Sequence, residues 1–379
     1  VALDIFRGLA VVGMILVNNP GDPALQFPWL AHAPWNGLTA GDFVFPFFLF
    51  SVGMSLVLTL GKSQVPASPL KRCKRIVRRS LTLVLLGLLF HLLASGDVAS
   101  FRIPGVFQRI GLCSLLGGLM AVGMSWREIA LSAGGILLVY AALLAGIHSP
   151  SFAEPGPSGG WPVAEVPFEQ VSQNSRPGYL SKAGSLPSFV DRSLFGRHMY
   201  RPEYDPEGLL STIPAVSTLL VGVLAGRWLR TRRRREDQLR KLLWVGFYLF
   251  MLGILLDPFI PINKAIWSPS FVLVTGGVSL ALFAILGWCV EIRGEDRWFR
   301  PLEVFGANAF VAYLASNLVT VVLARALPGG ATLGEWFLRK GCLSWLSGGT
   351  ASLFYGVLQV LVWLPPLWIL HRRGLYVKI

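Results

Sequence analysis

His32 is the residue whose type and place most invite chemistry. It opens the stretch His32–Ala33–Pro34–Trp35–Asn36–Gly37–Leu38–Thr39. One apolar run before it closes on Asn18 and Asn19, and another after it opens on Asp42 with Phe–Val–Phe–Pro–Phe–Phe. An antiparallel pair of helices returns the chain to its starting point, so Asn18, His32 and Asp42 can converge. A neutral imidazole beside an amide and a carboxylate suits a general base. The residue types leave alternatives open. His32 also reads as a loop histidine solvating the surface, and Asp42 as the cap of the second helix, a role compatible with catalysis.

A second set of polar residues follows later in the chain. Asp191, Arg192, His198 and Tyr200 sit in a long loop, and Asp205, Glu207 and Gly208 immediately precede an apolar run. Asn263 and Lys264 follow another. Arg102 and Arg109 flank Ile103–Pro104–Gly105–Val106–Phe107–Gln108. Arg109 heads an apolar run, where an unpaired charge is costly, so it needs a carboxylate, a phosphate or water. A structural ion pair is the competing reading. Asp4 and Arg7, three residues apart, can pair on one helix face. Pro46 is expected to kink the second helix, and Gly134–Gly135 reads as helix packing. Cys73, Cys113, Cys289 and Cys342 show no metal or disulfide spacing, and no GxGxxG, Walker, HExxH or GxSxG pattern occurs. No metal is expected.

The elements that must hold these residues are apolar. Of 379 residues 53% are hydrophobic and only 14% charged, against about 25% in a typical soluble protein. So few charges exclude an ordinary soluble enzyme, a disordered chain and a fibrous repeat. About ten stretches reach the length of a membrane span, near 2–19, 42–60, 80–95, 107–124, 128–147, 209–226, 242–258, 268–290, 302–325 and 351–370. The stretch 331–350 is a candidate to dip into the membrane. The fold expected is all-α, a polytopic membrane protein of about ten transmembrane helices. The first run carries Asp4 and Arg7 and lacks a small-x-small site, so a retained span is expected rather than a cleaved leader, with native residues before Val1. Most of the 34 Lys and Arg fall at 61–79, 127, 227–241, 291–300 and the tail, alternating with the other loops. That bias places both termini in the cytoplasm. The net charge of +14 then reflects sidedness and attraction to anionic lipid, not nucleic-acid binding. The loop 148–208, rich in Pro, Gly and Ser and too long for an idle connector, is expected to form a periplasmic cap within a single domain spanning 1–379.

Several motifs resemble the transmembrane heparan-alpha-glucosaminide N-acetyltransferase family and its bacterial glucosamine-acetylating members. They are LDIFRGLAVVGMILVNN at 3–19, HAPWNGLTAGDFVFPFFLFSVG at 32–53, RIPGVFQRIG at 102–111, DRSLFGRHMY at 191–200, DPEGLLSTIPA at 205–215 and PINKAIWSPSFV at 261–272. The resemblance implies transfer of an acetyl group from acetyl-CoA to the free amine of glucosamine or a glucosamine-terminated saccharide. The family's active-site histidine falls on His32. Its asparagine falls on Asn18, although the following loop is longer here and leaves Asn19 as a substitute. The lysosomal enzyme's large lumenal N-terminal domain has no counterpart in this sequence, so the resemblance gives only weak ground for expecting a long heparan polymer as substrate. A homodimer in the bacterial inner membrane is also implied.

For that reaction His32 is expected to remove the amine proton, Asn18 to bond the developing oxyanion, and Asp42 to orient the imidazole or accept from the sugar. An acetyl-imidazole intermediate on His32 is an open variant. Arg7, Arg102 and Arg109 are the cofactor-binding candidates. Asp191, Arg192, His198, Asp205, Glu207, Asn263 and Lys264 are those for the sugar. The competing classes are an envelope acyltransferase with a hydroxyl acceptor and an amino-sugar transporter.

Overall fold

The computed structural model describes residues 1–60, 68–147, 180–324 and 332–377. Its long elements are all helices: α1 (Ala2–Asn18), α2 (Val44–Leu60), α3 (Pro69–Ser95), α4 (Val106–Gly123), α5 (Trp126–Gly146), α6 (Leu186–Phe195), α7 (Leu209–Leu229), α8 (Arg235–Leu256), α9 (Pro269–Gly287), α10 (Arg300–Ala307), α11 (Ala309–Leu323), α12 (Leu333–Phe337) and α13 (Gly348–Arg372). Among the described residues eight helices are long and apolar enough to cross a membrane, or nine if the bent pair α10–α11 is one span. The chain is therefore an all-α polytopic membrane protein. α1, with 17 residues, is shorter than those eight.

Several expectations change on the structure. The third span is not a short 80–95 segment but the 27-residue α3, which begins at Pro69. Lys71 to Arg79 lie on its first turns, because Lys and Arg are good helix formers and Pro is favoured at a helix start. The stretch 302–325 is not straight: its two halves bend by 72°. The break falls at Asn308, whose backbone leaves the helical region. Its buried amide instead donates to Leu375 O (3.2 Å) and accepts from Val377 N (3.1 Å). Pro46 falls in the first turn of α2, where its missing N–H leaves no bond unmade. Among the described residues the prolines in helix interiors are Pro214, Pro365 and Pro366. At 331–350 the chain forms α12 and a π-helical turn, Leu338–Cys342. Of the expected cap, 148–179 lie outside the described residues, and the remainder contains α6.

By internal contacts the chain forms two compact units. The first comprises 1–68, 218–255 and 273–379. Its helices approach through glycines: a Cβ on Gly8 would lie 1.8 Å from Leu302 O, on Gly306 1.7 Å from Asp4 O, and on Gly53 2.0 Å from Leu219 O. Small residues at crossings are how helices meet closely in lipid. Phe6 packs against Phe47, Phe50 and Phe283 with ring centroids 5.5, 5.5 and 5.9 Å apart. The second unit comprises 69–217 and 256–272. There α3 packs along α4, with Gly111 against Ser80 O and Gly118 against Ile76. Tyr140 donates to Ile266 O at 2.6 Å and Ser217 to Ala133 O at 3.1 Å. Gly134 and Gly135 correct the packing expectation: a Cβ at either would meet nothing within 4 Å among the described residues.

Candidate active site

In the first unit, the segment joining α1 to α2 brings His32 onto Asp42. A 3-10 turn, Ala40–Phe43, precedes α2 and is closed by a capping box between Thr39 and Asp42. A Cβ on Gly41 would lie 2.3 Å from Leu30 O, so glycine is what lets residues 30–33 fold over this turn. The Asp42 side chain is fully buried, while that of His32 is 41% exposed. Asp42 Oδ2 accepts from Thr39 N at 3.0 Å and Ala33 N at 3.2 Å. Thr39 Oγ1 lies 3.0 Å from the same oxygen and 2.6 Å from Ala31 O, and donates to one of them. Asp42 Oδ1 stands 2.9 Å from His32 Nδ1. A carboxylate only accepts, so Nδ1 carries the proton and the lone pair of the neutral ring is on Nε2. Asp42 is thus both cap and imidazole partner.

The two asparagines at the end of α1 differ. Asn19 is buried, donates to Ile15 O at 2.8 Å and accepts from the Thr320 hydroxyl. Asn18 is exposed, and its side chain bonds to nothing among the described residues. Arg7 is occupied by the bundle. It lies 3.4 Å from Asp4 Oδ1, the pair anticipated from spacing, and donates to Gly306 O (3.2 Å) and Ser55 Oγ (2.6 Å).

In the second unit, Arg102 donates to Asp205 through Nε (2.9 Å) and Nη2 (2.5 Å), also pairs with Glu207, and lies 4.9 Å over the Tyr200 ring. Asp205 accepts in addition from Tyr200 N and Glu207 N. Burial opposes the charge of Arg102, but Glu207 and Asp205 outweigh it and raise its pKa. Burial likewise opposes the charge of Glu207, and Arg102 and Arg109 hold it below the usual carboxylate range. Asp191 Oδ1 accepts from Leu209 N at 2.8 Å, while Oδ2 is buried with no partner among the described residues. Burial pushes this carboxyl up to about 7. Burial brings Arg192 down to about 10, and its guanidinium donates to Glu203 O (2.6 Å) and Ala183 O (2.7 Å). His198 Nδ1 donates to Phe101 O at 2.8 Å. Asn263 is fully buried and accepts from Ile266 N at 3.1 Å, and Lys264 is half-buried with its charge felt at Glu207.

Arg109 is held by neutral oxygens: Thr212 Oγ1 at 3.2 Å, Ser211 Oγ at 2.5 Å and Gly208 O at 3.2 Å. It is fully buried, Nη1 has no partner, and it forms no ion pair among the described residues. Its guanidinium lies 4.8 Å over the ring of Trp267. Trp267 has a positive φ of 52°, rare for a bulky residue and a sign of strain that the surroundings enforce. Trp267, Ser211 and Thr212 were not singled out in sequence. They stand inside motifs at 205–215 and 261–272, and that was their only signal. Among the described residues no group of three metal-ligating side chains occurs.

Residues 1–154 match the family model described as heparan-alpha-glucosaminide N-acetyltransferase, catalytic. That range contains His32, Asp42, both asparagines, Arg102 and Arg109. Over its full length the chain is similar to the heparan-alpha-glucosaminide N-acetyltransferase of Homo sapiens, 26% identical over 420 residues, covering 100% of this chain and 59% of the relative. The Mus musculus protein of the same name is 26% identical over 429 residues, covering 100% and 60%. The chain thus spans about three-fifths of the length of these curated relatives. The likeness links it at family level to these acetyltransferases.

Proposed function

We propose that this chain transfers acetyl from acetyl-CoA to the free amine of glucosamine, or of a glucosamine-terminated saccharide, at the membrane. The observation that carries the reading is the His32–Asp42 pair, which sets the lone pair of the neutral imidazole on Nε2. In this reading the acceptor amine forms a C–N bond to the thioester carbonyl while Nε2 takes its proton. Asn18 donates to the carbonyl oxygen as it gains charge, and Asp42 stabilises the imidazolium. The C–S bond then breaks, and the imidazolium returns the proton to the departing thiolate. Charge changes hands entirely through groups of this chain and the two substrates. Arg109, a buried cation with no bound carboxylate, supports a place for an anionic group such as a CoA phosphate. The sugar is proposed to meet residues among Asp191, Arg192, His198, Asp205, Glu207, Asn263 and Lys264. The chain is further proposed to act as one acyltransferase domain, as a homodimer in the bacterial inner membrane, with both termini cytoplasmic. Labelling of a Cys placed at Arg233 from outside intact cells would overturn that orientation.

The test is steady-state transfer by purified protein to glucosamine, N-acetylglucosamine and a simple alcohol. Transfer only to glucosamine is expected. His32→Ala and His32→Asn should each lower turnover by about 10²–10⁴ while CoA affinity is retained. Near-normal turnover in both would remove His32 from the chemistry. An acetylated His32 detected by mass before acceptor is added would make it the nucleophile instead.

A further inference from the structure

The turn between α7 and α8 gathers cations that the bundle does not neutralise. α7 ends at Leu229 and α8 begins at Arg235, and both helices are long and apolar enough to cross a membrane, so the turn lies at a membrane surface. Buried Gln238 fixes its shape. Its Nε2 donates to Thr231 O (2.9 Å) and Trp228 O (3.2 Å), and its carbonyl accepts from Trp228 Nε1 at 3.1 Å. The Trp228 ring, held in this way, has Arg233 5.2 Å and Lys241 5.3 Å from its centroid, both within cation–π range. Two like charges gathered at one ring repel each other, and an anion beside them relieves that cost. The nearby carboxylates are engaged: Glu291 pairs with Arg235, and Asp237 with Arg240 at 2.8 Å. That leaves Glu236, exposed on the first turn of α8. Arg232, Arg233, Arg234 and Lys241 are all exposed and form no ion pair among the described residues. Tyr200 is also approached by two cations, Arg102 and Arg201, but there Asp205 and Glu207 supply the anions.

Beyond this turn the outer face of α8 is aromatic and apolar. Leu239, Leu242, Gly246 and Gly253 form its buried stripe. By helix periodicity Lys241, Trp244, Tyr248 and Leu255 share the opposite face. Trp244, Tyr248 and Leu255 are 55%, 65% and 69% exposed, and the Trp244 and Tyr248 rings stand 6.3 Å apart. At the rise of an α-helix they lie about 4.5, 10 and 21 Å along the axis from Lys241. A molecule with an anion at one end and a hydrocarbon chain behind it matches that order of groups. We propose that Trp228, Arg233, Lys241, Trp244 and Tyr248 form a binding face for an anionic phospholipid. Its phosphate meets Arg233 and Lys241, and an acyl chain runs along Trp244 and Tyr248. Basic loops in general attract anionic lipid without choosing a site; two cations fixed at one ring above an aromatic face do choose one. A zwitterionic lipid fits less well, because its ammonium would enter a cluster of like charge. A free phosphate would gain nothing from the aromatic face. Lipid binding here is independent of acetyl transfer.

The test titrates phosphatidylglycerol and phosphatidylethanolamine of identical acyl chains into the purified full-length protein in detergent and counts bound lipid by native mass spectrometry. Wild type should bind phosphatidylglycerol several-fold more tightly, and glycerol phosphate should not compete. Arg233→Gln combined with Lys241→Gln should weaken phosphatidylglycerol by about 30-fold, the worth of two cations beside an anionic lipid. Arg233→Lys combined with Lys241→Arg keeps both charges and should bind as wild type does, which separates lost charge from lost fold. Arg372 and Arg373 are exposed as well, with Arg372 over the Trp368 ring. Changing both of these to Gln removes the same charge elsewhere and should leave affinity nearly unchanged. Equal affinity for the two lipids would overturn the proposal, as would an equal loss in the Arg372 and Arg373 variant, which would trace binding to bulk charge. Competition by glycerol phosphate would assign the cations to a free phosphate and not to a lipid. A variant at Arg233 and Lys241 that binds lipid normally but changes its oligomeric state would also overturn it, because a second copy of the chain would then cover this face.

Discussion

Replacing Asp42 by Asn separates its two roles, cap and imidazole partner. The buried carboxylate accepts from Thr39 N, Ala33 N and His32 Nδ1 at 3.0, 3.2 and 2.9 Å. An amide of the same shape can turn its one oxygen to the two backbone donors and keep both. Its NH₂ then faces Nδ1, and two donors cannot bond. The ring relieves this by moving its proton to Nε2, the atom that a general base needs bare. Structure therefore changes little and chemistry changes much. Stability should fall by about 1–2 kcal/mol, the worth of a cap and a charged hydrogen bond. Turnover should fall by about 10²–10⁴, or about 3–5 kcal/mol of barrier, as when an imidazole is held in the wrong tautomer. Thr39→Val is the control, because it damages the cap and leaves the His32–Asp42 bond. It should cost about 1 kcal/mol of stability and less than tenfold in turnover. The assay is acetyl transfer to glucosamine at saturating acetyl-CoA, with melting curves of each variant. Turnover in Asp42→Asn within about threefold of wild type would refute the reasoning. So would an equal loss in Thr39→Val, since that would trace the effect to loop geometry and not to proton placement.

Asp191, held up to about 7 by burial against an ordinary value of 3.8, binds its proton more tightly folded than unfolded. Stability should therefore fall as pH rises between those values, by at most about 1.4 kcal/mol per pH unit, and Asp191→Asn should flatten the melting temperature against pH. Gly208→Ala would set a Cβ 1.6 Å from Asp191 Oδ2 and should abolish folding or lower the melting temperature severely, whereas Gly134→Ala meets open space and should be neutral or stabilising by up to about 1 kcal/mol. Arg109→Lys keeps the charge but loses the fork that reaches Ser211 and Thr212, so CoA affinity should drop at least tenfold by calorimetry while glucosamine affinity holds.

The membrane class of the fold was legible because apolar length is a one-dimensional property, and 14% charge leaves little room for another solution. Boundaries were less so. Hydropathy cannot tell a basic loop from a basic first turn, which is why α3 starts at Pro69 and not at 80. It could not see the bend at Asn308 either, because that bend rests on an amide bonding to residues 67 and 69 positions away. At the site, the approach of His32 to Asp42 followed from a hairpin of two helices. The difference between Asn18 and Asn19 did not, since it depends on Thr320, far along the chain, claiming one of two identical neighbours.

The three arginines expected at the cofactor illustrate how partners assign roles that charge alone does not. Each sits in or beside an apolar segment, where a cation must be compensated. Arg102 meets two carboxylates, so a phosphate arriving there would have to displace an existing anion. Arg7 has Asp4 at 3.4 Å and two oxygens from neighbouring helices, and its donors tie α1 to α2 and α10. Losing those bonds would be the cost of binding anything else. Arg109 differs on both counts. Among the described residues its bonded partners are two hydroxyls and a carbonyl, none of them charged, and Nη1 is unbonded. Trp267 offers a ring face and no formal charge. A fully buried guanidinium so placed gains from an added anion without giving up a bond. Although the charge of Glu207 is felt there, we propose Arg109, which sequence ranked level with the other two, as the arginine that meets a phosphate of the cofactor.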